Sequence, residues 1–372
     1  MKTIRIMCAA LVAAMTLAGC QKEQAGKDNG PQQPKTITIS LSNVQTPVKS
    51  FNAPVENGTT AKVNNFQVFF ANAEGTEFYK GLAADGTEMN HYITVTSSDD
   101  LTQTFHFVDP NVEQVLVVAN LSDSEATYAD VATLKAQVIE IASQQDVDDL
   151  VLFGYDDSLE ASSEDHESAH HPSNVYTAAV EIAPLVARIE IVDFKTIFPA
   201  NSAFKSVTVN QIAFNDYYTK ADLTGAVSSV PADHVDEDIE AATVYTYLDG
   251  LTGTPWSDDK LEATMTPTVN TATFADGKVY AYNFFPAAAT KGTDAGYPQL
   301  VIGAESKDVQ DKTVRQFLYT KSFNNVASGF EPGKVYKVAF TFEAIKLENQ
   351  LKCVEMTVTV KEWTVVNVTP NV

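Results

Sequence analysis

Arginine is nearly missing from this chain. Arg5, Arg188 and Arg315 are the only three in 372 residues, and the formal net charge is −23. That balance argues against nucleic acid and anionic lipid as partners, because both are bound by clusters of Lys and Arg. The acid is spread along the chain and reads as a solvated, colloidally stable surface. Cysteine is equally scarce. Cys8 and Cys20 lie near the N-terminus and only Cys353 lies in the body. No disulfide and no cysteine-rich zinc cluster can therefore form within the body. No apolar run approaches the roughly 20 residues of a helical membrane span. A G-x-S-x-G elbow, a G-x-x-x-x-G-K-[ST] phosphate loop and a dinucleotide fingerprint are all absent. Acids are so common that no pair stands out as a glycosidase pair, which needs a defined separation. Nothing here makes a persuasive catalytic site, and nothing calls for a cofactor.

The N-terminus is more informative. Lys2 and Arg5 precede an apolar run from Ile6 to Leu17, then Leu17-Ala18-Gly19-Cys20. A short positive region, an apolar stretch and small residues before a cut make a secretory signal peptide. The last four residues resemble a lipobox, with Cys20 placed to take a diacylglycerol thioether. An ordinary signal peptide containing a Cys is the plainer alternative. On the lipobox reading residues 1–19 are signal peptide. Residues 20–35, rich in Gln, Lys, Gly and Pro, form a flexible tether. Several acyl chains anchor firmly where one does not. With no Asp after Cys20, the expected place is the outer membrane.

Period-two alternation dominates the rest and predicts half-buried strands. Strands are expected at Thr36–Leu41, Asn65–Phe70, Thr102–Val108 and, buried on both faces, Glu113–Ala119. Val175–Val192 is also β but is interrupted by Pro184, which cannot donate to a ladder. Further strands are expected at Ser206–Phe214, Lys278–Phe285, Gln299–Gly303, Val335–Phe342, Val354–Val360 and Trp363–Val368. Between Ser122 and Ala142, Tyr128, Val131, Leu134, Val138 and Ile139 recur at three or four and predict one amphipathic helix. The length suits about two domains. The boundary falls near residue 183, giving 36–182 and 183–372. Many short strands punctuated by Gly, Pro and Asn make both of them β-sandwich-like.

Several clusters invite a chemical reading and mostly decline it. His166-Glu167-Ser168-Ala169-His170 fits the H-E-x-x-H string, and His171 follows. Its acidic, Ser-rich surroundings lack the apolar face of a zinc-protease helix, so a solvated loop is the better reading; weak divalent-metal binding by the three histidines with Glu164, Asp165 and Glu167 is the alternative, and no metal site is assigned. Asp233–Glu240 lacks the central Gly of a calcium loop. Cys353 sits in a strand pattern and reads as a small core residue. Trp256 lies in a loop-like stretch. With Tyr245 and Tyr247 it is the candidate for stacking on a sugar if the chain is a glycan-binding surface lipoprotein.

The order of five segments resembles the fimbrillins of the Bacteroidales, the type V pilins. They are AKVNNFQVFF, EQVLVVANLSD, PLVARIEIVDF with Arg188, EPGKVYKVAFTF and LKCVEMTVTVKEWTVVNV. The resemblance covers nearly the whole chain after the tether and implies two transthyretin-like β-sandwich domains and no enzyme activity. It also implies a mechanism. The subunit is exported as a lipoprotein, and a surface protease cuts after a basic residue. The lipid and first strand leave, and a terminal strand of the next subunit fills the groove. Here Ile37, Ile39 and Leu41 would form the removable strand. Val358, Val360, Trp363, Val365, Val366 and Val368 would supply the incoming one. The family's cut follows Arg, whereas no Arg lies between Arg5 and Arg188. Lys49 is the matching basic residue; a subunit left uncut there would be an anchor or minor component. The partners implied are other fimbrial subunits, plus the outer membrane through Cys20 before processing.

Overall fold

Alternating apolar residues give each strand one face to bury, and the resulting structure is mainly β. The structure, a computed structural model, describes residues 33–42, 61–161, 174–232, 241–253, 257–274, 278–288, 295–320 and 329–344, with Phe323 and Val326. The first strands are β1 (Lys35–Ser42), β2 (Asn65–Asn72), β3 (Phe78–Tyr79), β4 (Tyr92–Thr94), β5 (Thr102–Val108) and β6 (Val112–Ala119). Next come β7 (Ile139–Glu140), β8 (Leu152–Asp156), β9 (Glu160–Ala161), β10 (Asn174–Glu181) and β11 (Ala183–Pro184). They are followed by β12 (Ala187–Ile197), β13 (Phe204–Asn215), β14 (Lys220–Ala221), β15 (Asp258–Met265) and β16 (Thr271–Thr273). The last four are β17 (Tyr280–Phe284), β18 (Gln299–Asp308), β19 (Thr313–Tyr319) and β20 (Val335–Glu343). The α-helices are α1 (Val131–Lys135) and α2 (Ala241–Gly250).

Two sheets draw only on residues up to Pro184. One has the order β5-β1-β10-β9; the other runs β11-β8-β6-β2-β3, with β4 also on β2. They face each other across a core in which Phe70 of β2 meets Phe105 of β5 edge-on at 5.1 Å. Two more sheets draw on residues from Ala187 onward. In one, β12 carries β20 on one edge and β17 and β16 on the other; the second has the order β15-β13-β18-β19. Phe214 of β13 stacks on Tyr282 of β17 at 5.3 Å across that core. Both pairs are sandwiches held by interdigitated inner faces. A short ribbon pairs β7 with β14 and ties the earlier residues to the later ones.

Bulges explain where the alternation changes parity. In β13, Val207 and Val209 are buried, and then Ile212 rather than residue 211. The register shifts between Val209 and Gln211. One extra residue returns the apolar set to the core face. In β12, Ile189 and Ile191 give way to Phe194 across a shift between Ile191 and Asp193. Gly154 of β8 tolerates no side chain, since a Cβ there would lie 2.1 Å from the Glu181 carbonyl oxygen.

The helix expected across Ser122–Ala142 is only five residues long, Val131–Lys135, capped by Asp130 accepting from Thr133 N at 2.7 Å. Tertiary contacts outcompete the periodicity. The Gln67 side chain engages both backbone groups of Ala126, donating to its O at 2.6 Å and accepting from its N at 3.0 Å. That holds the preceding residues on the outer face of β2. Tyr128 then meets Phe69 at 5.7 Å. Ile139–Glu140 is a strand, and Val138 is 45% exposed rather than on a buried helical face. The longer helix, α2, lies where only β structure is expected. Its Val244 and Leu248, with Leu251, pack on Ala213 and Val301 of the sheet below.

Candidate assembly site

The strand expected to be removable is central in its sheet. β1 pairs in parallel with β10, from Lys35–Asn174 to Ser42–Glu181, and antiparallel with β5. Both of its edges are therefore occupied. Ile37 and Ile39 are fully buried in the main core, and Leu41 packs half-buried against it. Each buried isoleucine contributes about 1.5–3 kcal/mol by burial alone. Polar ties add to the fit: Thr38 Oγ1 lies 3.0 Å from Thr104 Oγ1, and Lys35 sits over the Tyr176 ring at 5.0 Å. Were β1 absent, β5 and β10 would face each other across a strand-wide gap with unpaired backbone groups, a template for β-addition.

Other expected residues lie outside the described ones. These are Cys20, Lys49, His166, His170, His171, the Asp233–Glu240 run, Trp256 and Cys353. Outside them too are the expected donor residues Val358, Val360, Trp363, Val365, Val366 and Val368. Tyr245 and Tyr247 are half-buried on α2. The Tyr245 hydroxyl donates to Arg315 O at 2.8 Å, and its ring packs against the Arg315 guanidinium at 4.9 Å and Phe317 at 5.5 Å. These contacts use the ring as packing surface rather than offering it to a sugar.

A buried polar network escapes the sequence reading. Arg188 and Glu190 point to one side of β12, and both are buried. Arg188 Nε donates to Glu190 Oε1 at 2.8 Å, and Lys337 Nζ of β20 lies 4.0 Å from Glu190 Oε2. Arg188 Nη1 donates to Asn283 Oδ1 of β17 at 3.4 Å. Asn283 Nδ2 donates to Gln144 O at 2.6 Å, while Asn283 N donates to Gln145 Oε1 at 3.1 Å. Gln145 Nε2 returns a bond to Asn283 O at 3.0 Å. Gln144 and Gln145 are thereby bound to β17 and, through Asn283, to Arg188 of β12, while Glu190 Oε2 is buried without a hydrogen bond among the described residues. Burial lowers the Arg188 pKa, and the Glu190 carboxylate opposes that shift.

Two further groups are tuned by burial. His91 Nε2 accepts from Gly81 N at 3.1 Å, and Nδ1 donates to Val68 O at 3.2 Å, an arrangement that requires the neutral ring. Burial pushes its pKa down, and the carbonyl oxygens of Gly81, 3.4 Å from Nε2, and of Val68 pull the other way. Asp259 of β15 is pushed up to about 6 by burial, although the Tyr282 hydroxyl donates to it at 2.7 Å.

No family model and no curated protein sequence matches the chain. Solved structures do. A candidate cell adhesion protein from Parabacteroides distasonis superposes with a TM-score of 0.57 at 12% identity, covering 90% of this chain and 98% of that one. A fimbrilin from Porphyromonas gingivalis gives 0.52 at 11% identity, covering 91% and 99%. A candidate cell adhesion protein from Bacteroides eggerthii gives 0.52 at 14% identity, covering 90% and 98%. Over nearly its whole length, this chain has the fold of the Bacteroidales fimbrilins and cell adhesion proteins.

Proposed function

We propose that this chain is a fimbrial subunit that polymerises by exchange of its first strand. The observation that carries the reading is the placement of β1: a core strand, paired on both edges, with buried Ile37 and Ile39. Past Ser42 it runs on through the sequence that holds Lys49. The fold shared with a fimbrilin supports the same reading. The subunit is exported as a lipoprotein on Cys20 to the outer membrane, with residues 20–35 as tether. Cleavage after Lys49 frees β1. Residues of a terminal strand from a second copy, Val358, Val360, Trp363, Val365, Val366 and Val368, fill the groove between β5 and β10. Residues 36–182 and 183–372 act as two domains, the first offering the groove. A head-to-tail contact of this kind does not close and builds a filament. The partners are other copies and accessory fimbrial subunits, at the cell surface.

The test is limited proteolysis of the purified soluble chain with a Lys-directed protease, read by intact mass and by particle size. The expected outcome is a cut at Lys49, release of the segment that carries β1, and then ladders or filaments. A cut product that stays monomeric rejects strand exchange. Resistance at Lys49 rejects the shaft role and leaves an uncleaved anchor or minor component.

A further inference from the structure

We propose that the cleft between the start of β2 and the segment following β6 binds a neutral saccharide. The cleft is a shallow, open depression of about 460 Å³ lined by Asn64, Asn65, Asn120, Leu121, Asp123 and Asp149, with Ser122. Inward it shares Asn65 and Leu121 with a narrower recess walled by Phe69 and Tyr92. The lining is amides, carboxylates and a hydroxyl around one apolar side chain, Leu121.

The rim is held in place before any ligand arrives. Asn64 Nδ2 donates to Asp148 O at 2.7 Å and to Asp149 Oδ1 at 2.9 Å. Asn120 Nδ2 donates to Lys62 O and Leu150 O, each at 2.8 Å, and its Oδ1 accepts from Asn64 N at 2.8 Å. Asn120 takes a left-handed backbone, φ 58°, which aims its amide inward among these groups. These bonds consume the amide hydrogens of Asn64 and Asn120 and immobilise both side chains. The Asn65 amide and the Asp123 carboxylate, by contrast, make no hydrogen bond among the described residues. Fixed acceptors beside an available amide suit the alternating donor and acceptor character of vicinal hydroxyls. The C–H face of a sugar ring suits Leu121. Two carboxylates on the rim, in a chain of net charge −23, disfavour acidic sugars. The cleft uses no residue of β1, so this proposal and strand exchange stand or fall separately.

The experiment is saturation-transfer NMR and calorimetry of the full chain. The probes are methyl mannoside, methyl galactoside and N-acetylglucosamine, with N-acetylneuraminic acid as the acidic comparison. Asn65→Ala and Asp123→Ala remove side chains that hold nothing else in place, and an unchanged melting curve checks the fold. At least one neutral probe is expected to bind in preference to the acidic one. Its affinity should fall about tenfold in either variant, the size of one lost hydrogen bond to a polar or charged group. The proposal is overturned if no neutral probe binds or the acidic probe is preferred. Affinity unchanged in both variants, or binding that requires an added divalent cation, overturns it equally.

Discussion

Arg188→Leu should be among the most damaging single substitutions in the fold. It leaves Glu190, which is 0% exposed, without the guanidinium 2.8 Å away, with Lys337 Nζ still 4.0 Å off. Breaking a buried ion pair from one side costs about 3–5 kcal/mol, because the surviving charge stays desolvated. Asn283 Oδ1 loses its donor as well, a further ~1 kcal/mol. A loss of about 5 kcal/mol is a large share of the 5–15 kcal/mol that holds a typical domain together. The double variant Arg188→Leu/Glu190→Leu removes both charges and should be clearly more stable than Arg188→Leu alone. Urea unfolding at neutral pH of the parent, both singles and the double completes the cycle. Its coupling should exceed about 2 kcal/mol and hardly change with ionic strength, because a buried pair is screened little. If Arg188→Leu costs under about 1 kcal/mol, or the two singles simply add, the network does not hold the fold as described.

Asp259→Asn should stabilise the protein at neutral pH. With a folded pKa pushed up to about 6 from 3.8, this group's contribution is complete below the unfolded value and is lost as pH rises through about 6. Two pKa units correspond to about 3 kcal/mol at most, and Asn keeps an acceptor for Tyr282. Denaturation should therefore separate the variant from the parent at about pH 7.5 and not near pH 4; equal stability at both refutes the assignment. His91, its pKa lowered chiefly by burial, should remain neutral in the fold below its ordinary 6.5. Its contribution is present above that value and is lost as pH falls, and an NMR titration midpoint at or above about 6.5 counts against the two-bond arrangement. A peptide with the sequence of Lys35–Ser42 should block assembly of the Lys49-cut protein, while the same peptide carrying Asp in place of Ile37 and Ile39 should not. Equal inhibition by both would mean that the groove does not read those side chains.

The strands were the legible part because each reports its own burial. Thr102–Val108 matches to the residue, and the β run that contains Pro184 is broken on either side of it, at Ile182 and at Leu185-Val186, though Pro184 itself pairs with Leu152. The helices were less legible for opposite reasons. Around residue 126 the three-or-four spacing is real, but Gln67, 59 positions earlier, supplies the backbone bonds a helix would have made. In α2 the Val244, Leu248 and Leu251 spacing is present. It is short and rich in Thr, Val and Tyr, which are indifferent helix formers. Only contact with the sheet beneath favours the helix.

The alternation of TITISL makes a strand with Ile37, Ile39 and Leu41 on one face, and that much follows from the sequence alone. That its partner is β10, beginning 139 residues later in register, is decided by the tertiary structure, because a pleat carries no label for what it pairs with. The same division holds at Arg188-Ile189-Glu190-Ile191. Period two places both charges on one face and both isoleucines on the other. By itself that reads as a solvated face opposite a core. Only the assembled fold lays residues 141–145 and Asn283 against the charged face. There the arginine, one of three in the chain, becomes a buried tie rather than a surface charge.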